Sequence, residues 1–161
     1  TLVCNPKSLS PAERDAMVRE IPSPKLLDWF IVNVVKPSRR AEELRPRWKD
    51  EDDLVGRAGW SLTTDKVAKS PDGLDLPALL DQIEKELKAA PAHKQWAMNH
   101  CLAQIGIEHP QHRGRAIAIG ERLAVFVDYP ASPGCTPPYV PMWIAEMVRR
   151  RDAVTPPRRK G

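Results

Sequence analysis

Apolar residues recur along the chain at intervals of three and four, and no stretch keeps the every-other-residue alternation of a half-buried strand. The pattern predicts an all-α fold with helices at about 11–20, 24–36, 39–48, 52–69, 77–90, 92–105, 111–123 and 141–151. Proline marks several starts. Ser10-Pro11 and Ser23-Pro24 read as an N-cap followed by a first-turn proline, and Asp75 can cap the helix that holds Pro77. Short connections between helices of this length favour antiparallel neighbours, and a run of such hairpins without strands points to a stacked α-solenoid rather than a closed bundle. Residues 124–140 are too rich in proline for a helix. They are expected to wrap back over the last hairpin, anchored by Tyr129, Tyr139 and Trp143.

Three of these helices carry a second, non-core face. In 52–69, Leu54, Val55, Ala58 and Leu62 form the core stripe, while Arg57, Trp60 and Thr64 share a neighbouring face. Gly59 borders the stripe, where a missing side chain lets another helix come close, and Gly56 lies near the first turn, where it costs less. The helix KLLDWFIVNVVK is apolar almost all round, as an inner helix would be, yet Asp28 lies beside Ile31, Val32 and Val35. A carboxylate there needs a cationic or hydrogen-bonding partner, and Arg57, one hairpin later, is the expected one. In 92–105 the core side is Ala97, Met98, Cys101, Leu102 and Ile105. That leaves Trp96, Asn99, His100 and Gln104 as a surface suited to a nucleobase or sugar. Each has a structural alternative: Asp28 near the positive end of its helix, Arg57 in a surface ion pair, Trp96 packed under the next hairpin.

Composition narrows the classes. With 161 residues, 42% hydrophobic and 29% charged, the chain supports one domain, expected over 1–152, followed by a basic, proline-rich tail at 153–161 that is expected to be disordered. Lys and Arg number 25 against 21 acids, a net +4 that permits nucleic-acid binding without requiring it. Arg39, Arg40, Arg45, Arg47, Arg113, Arg115 and Arg122 can either line a basic surface or simply solvate outer faces. Cys4, Cys101 and Cys135 are odd in number and irregularly spaced, which argues against a disulfide framework and for a reducing, cytoplasmic setting. No run is long enough to span a membrane, and the first residues lack the layout of a signal peptide. His109 and His112 have no second pair of ligands, so no metal is expected, and no nucleotide or cofactor fingerprint is present. A monomer is the expected state.

The blocks CNPKSLSPAERDAMV, LLDWFIVNVV, RWKDEDDLVGRAGWSL, LLDQIEKELKAAPAHKQWAMNHCLAQIG and RAIAIGERLAVFVDY, in this order, resemble the DNA alkylation repair family of HEAT-like repeat proteins. The resemblance implies a HEAT-like α-solenoid whose concave surface cradles duplex DNA, and a DNA glycosylase that excises cationic alkylated purines without flipping them out. It places Asp28 at the family's catalytic aspartate and Arg57 at an arginine that grips the DNA backbone. Trp60, Trp96, Asn99 and His100 are expected to complete the DNA-binding surface. Two departures stand out: Pro24 occupies a family tryptophan position one turn before the aspartate, and a second family tryptophan falls near His100, with Trp96 one turn earlier. The family's first helices are expected to be missing before Thr1. The alternatives to a glycosylase are a catalytically silent binder of unusual DNA structure and a HEAT-like protein-interaction scaffold.

Overall fold

The computed structural model describes residues 8–154, and within them the chain is all helix and connection, with no strand. Eight α-helices follow in order: α1 Pro11–Glu20, α2 Pro24–Phe30, α3 Ala41–Lys49, α4 Asp53–Lys69, α5 Leu76–Glu86, α6 Ala92–Glu108, α7 Pro110–Leu123 and α8 Val140–Val154. They stack as antiparallel layers of a HEAT-like solenoid, with α4 packed most extensively against α3 and α6, and α6 in turn against α7 and α8. The first two residues of the expected tail, Ala153 and Val154, end α8, and residues 155–161 and Cys4 lie outside the described residues.

Local chemistry explains most of the boundaries. Ser10 closes a capping box with Glu13 at the start of α1, Ser23 accepts the Leu26 amide at the start of α2, and Asp75 accepts the Ala78 amide at the start of α5. The predicted helix 24–36 is one continuous rod, but its second half is a π-turn, Ile31–Val35. Four of those five residues are β-branched and crowd the regular turn, and the Asn33 amide donates to the Trp29 carbonyl at 2.7 Å. Helix α6 runs past the predicted stop at Ile105 because Gly106 is a packing residue: a Cβ there would meet the Ile144 side chain of α8.

Two cores share one helix. Val18, Leu27, Phe30, Ile31, Leu44 and Trp48 bury against Ala58 and Leu62 of α4, while Leu80, Ile83, Met98, Leu102, Ile119 and Ile144 form a second cluster that takes Trp60 and Val67 from α4. Between α3 and α4 the backbones nearly touch, since a Cβ on Gly59 would collide with the Trp48 and Lys49 main chain. The expectation that 24–36 is an inner helix is not met. Leu26, Trp29 and Val32 are 48%, 59% and 54% exposed, because this rod lies at the edge of the stack and packs on one side only.

Helices α1 and α3 are tied by Asp15, which accepts Trp48 Nε1 at 2.6 Å and pairs with Arg19 and Arg47. Burial opposes ionisation of Asp15, but the bonds from Arg19, Trp48 and Arg47 outweigh it and hold the carboxyl down at about 2. Its contribution is full above the unfolded carboxylate range near 4 and is lost as pH falls through about 2. Asp15→Asn should therefore cost about 1–2 kcal/mol at pH 7, allowing for its exposed arginine partners, and much less at pH 2. Urea unfolding at the two pH values checks this. Gly59→Ala should cost about 3 kcal/mol at either pH, because backbone and not a side-chain tip stands in the way.

Candidate nucleic-acid interface

The rod formed by α2 and its π-turn, together with α4 and α6, faces an open groove of about 460 Å³. Asp28, Ile31, Val32 and Lys36 line it from the first element, Arg57, Ser61, Thr64 and Asp65 from α4, and Trp96, His100 and Gln104 from α6. On α4 these are positions i, i+4, i+7 and i+8 from Arg57, one narrow helical face.

At the centre Arg57 grips Asp28 with both arms of its fork. Nε donates to Oδ1 at 2.9 Å and Nη2 to Oδ2 at 2.6 Å. The arginine side chain is only 13% exposed, whereas the carboxylate is 48% exposed toward the groove. The expected partnership of Asp28 and Arg57 is thus present, in the two-point geometry that suits guanidinium and carboxylate or phosphate alike. A second charge group lies further along: Asp65 accepts from Lys36 at 3.1 Å and Lys69 at 2.8 Å. Burial opposes the ionisation of Asp65, and the two ammonium groups overcome it.

The α6 wall is aromatic. His100 stacks on Trp143 of α8 with ring centroids 4.9 Å apart. Withdrawal from water lowers its pKa, with Lys36 and Arg57 adding repulsion, so it meets the groove as a neutral ring at pH 7. Trp96 borders the groove and packs edge-on against Phe126 at 5.3 Å and against Tyr129 at 5.7 Å. The segment after α7 wraps back over α6, held by Phe126 and Tyr129 against Trp96, although Tyr129, expected as a buried anchor, is 44% exposed. Phe126 reaches Trp96 from a left-handed backbone conformation, φ 60°, that is costly for an aromatic residue.

Two expected surface residues are buried instead. Trp60 is fully buried, with its Nε1 unpartnered and the Lys49 ammonium 5.2 Å from the ring centroid. Asn99 is 2% exposed and donates to the Pro138 carbonyl at 2.8 Å, pinning the wrapped segment. Each lies three residues after a groove residue, Arg57 or Trp96, and three residues turn a helix to a point roughly 60° short of a full circle. That rotation moves the side chain off the groove and into the neighbouring layer. Conversely, Lys36, Ser61 and Asp65 line the groove without having been anticipated; the i+4 and i+8 spacing from Arg57 was the available signal.

Most of the arginines considered for a basic surface are engaged with acids or carbonyls. Arg45 is buried and bound to Glu42, Arg40 pairs with Glu43, and Arg47 with Asp15. Arg115 bonds Asp81 and Glu84, Arg122 bonds Glu84, and Arg113 caps the Gly106 and Ile107 carbonyls at the end of α6. Cys101 is buried in the core, where burial pushes its thiol up to about 12. Among the described residues no helix is long and apolar enough to cross a membrane, and no three His, Cys, Asp or Glu side chains cluster as metal ligands.

The family model for DNA alkylation repair enzymes matches residues 7–127, three-quarters of the chain. The chain belongs to the DNA alkylation repair enzyme family. A solved structure from "a new family of proteins related to the HEAT-like repeat DNA glycosylases with affinity for branched DNA structures" superposes with a TM-score of 0.65 at 19% identity. The match covers 75% of this chain and 54% of that one, so the chain spans about half the length of that relative. No curated protein matches significantly. The family match contains Asp28, Arg57, Trp96 and His100 and stops short of Trp143.

The burial of Trp60 separates it from Trp96 by experiment. Trp60→Ala should cost about 3–5 kcal/mol of stability, the range for a truncated core tryptophan, while Trp96→Ala should cost no more than about half of that. Denaturant melts of the two variants decide it, and equal losses would return Trp60 to the surface.

Proposed function

We propose that this chain binds DNA of distorted or branched structure through the α2/α4/α6 groove, with Arg57 exchanging the Asp28 carboxylate for a DNA phosphate. The observation that carries this is the two-point Arg57–Asp28 pair at the mouth of an open groove, beside Trp96 and His100. A guanidinium held in that orientation presents the fork a phosphate needs, and the adjoining rings supply apolar surface for a sugar or base. Family membership and the branched-DNA affinity of the structural relative support the ligand class.

Excision of alkylated purines is the second reading, favoured by the exposure of the Asp28 carboxylate in the groove. Once Arg57 turns to a phosphate, Asp28 is released toward the sugar. A cationic purine is already a good leaving group, so a carboxylate that stabilises the positive sugar and orients water is the main catalytic requirement. Pro24 leaves one side of this site without the aromatic ring that the family resemblance calls for, which is why binding comes first.

The two readings part on Asp28. Binding by exchange predicts that Asp28→Asn tightens DNA affinity about threefold, because Arg57 no longer has a charged competitor, and that Arg57→Gln weakens it about tenfold. Fluorescence anisotropy with duplex and three-way-junction DNA across salt measures both, and the order of the two variants reversed would sink the exchange. In the same samples, release of 7-methylguanine by the parent chain and its loss in Asp28→Asn would establish excision. No affinity at low salt would leave the interaction-scaffold alternative.

A further inference from the structure

Beside the groove, on the other side of Trp96, lies a second cavity of about 270 Å³ walled by Trp96, Tyr129, Pro130, Cys135, Pro138 and Trp143. It holds no charged residue; its polar groups are the hydroxyls of Tyr129, Ser132 and Thr136 and the Cys135 thiol. Cys135 and Thr136 also border a further surface depression that ends at Arg149 and Arg150. Those arginines are 68% and 53% exposed and share Glu146 as their partner. The three depressions adjoin in series through shared wall residues, Trp96 between the groove and the aromatic pocket and Cys135 and Thr136 between that pocket and the arginines.

We propose that this path takes a single unpaired strand leaving the groove, with one nucleobase stacked in the Trp96–Tyr129–Trp143 pocket and the backbone beyond it held by Arg149 and Arg150. The proposal rests on the DNA-binding reading and adds to it what the branch of a branched DNA would contact. Aromatic platforms interleaved with cations are how single strands are held, because every unpaired base offers a π-face whereas a base inside a duplex does not. A cavity of this size, just under the range for drug-sized ligands, suits one base. Arginines at the end of the path favour a polyanion over the uncharged proline-rich peptide that an aromatic pocket can otherwise hold. A phosphate at Arg149 and Arg150 displaces Glu146 in the same exchange that Arg57 performs with Asp28.

Cys135 reports occupancy directly, since it is exposed in the pocket wall while Cys101 is buried. The full chain with Cys4→Ser is alkylated with iodoacetamide alone, with blunt duplex, and with the same duplex carrying a single-stranded flap, the two DNAs at matched occupancy by anisotropy. The flap DNA is expected to slow alkylation of Cys135 about tenfold and the duplex to leave it unchanged. Tyr129→Ala, an exposed position, is expected to lose about tenfold in flap affinity with duplex affinity retained. Equal alkylation under bound flap DNA, or an unaltered flap preference in Tyr129→Ala, overturns the pocket and leaves the groove standing. Failure of both DNAs to bind at low salt overturns the groove and the strand path together.

Discussion

Helix α4 belongs to two cores at once, and this constraint shapes the rest of the molecule. Ala58 and Leu62 complete the first core, Trp60 and Val67 the second, and Gly59 brings the α3 backbone against the helix. A helix buried on both flanks has one face left for solvent. One partly exposed line of α4 carries Arg57, Ser61, Thr64 and Asp65 along the groove, while Thr63 is buried and Lys66 turns to Glu42 of α3. Helix α6 repeats the arrangement, with Met98, Leu102 and Ile105 in the core, Asn99 under the wrapped segment, and Trp96, His100 and Gln104 in the groove.

The same constraint explains how far the sequence could be read. Helix positions, caps and the all-α class followed from local spacing and from Ser10, Ser23 and Asp75, because those signals act within a few residues. The Asp28–Arg57 pair was also legible, although the apolar burial that suggested it is only partial: Asp28 is half exposed and Val32 faces solvent. Trp60 and Asn99 were misplaced because periodicity distinguishes a core stripe from its opposite face but does not say whether an intermediate flank meets water or another layer. In a closed bundle that flank is often wet; in the interior of a solenoid it is core. Trp60, Thr63 and Val67, at i, i+3 and i+7, are fully buried, and the polar Thr63 between the two apolar residues hides this flank from a purely apolar pattern.

Charge gave the weakest guidance. The chain's net +4 permits a polyanion partner without requiring one, and Arg40, Arg45, Arg47, Arg115 and Arg122 are taken up in ion pairs and do not line the groove. The cations that line the groove, Arg57 and Lys36, are themselves partnered by Asp28 and Asp65. Overall charge therefore says little about where a phosphate would sit. What distinguishes the groove is the exposure of the central acid: Asp28 is half exposed and holds Arg57 in the two-point geometry that also suits a phosphate.

An exchange of this kind makes affinity depend on fit more than on field. Each phosphate gained costs an internal ion pair, so a uniform duplex that meets Arg57 alone gains little from its charge. DNA that also presents a sugar or base to Trp96 and His100 recovers the loss through apolar contact, which a kinked or branched helix can offer and a straight one cannot. The eroded aromatic position at Pro24 fits this balance. On this reading, the missing ring on the Asp28 side weakens the hold on a single lesion nucleotide, while the rings on α6, with Phe126 and Tyr129 against Trp96 and Trp143 against His100, extend the apolar surface in the other direction. On the proposed reading, this arrangement biases the site toward the shape of DNA at a junction and away from the identity of one damaged base.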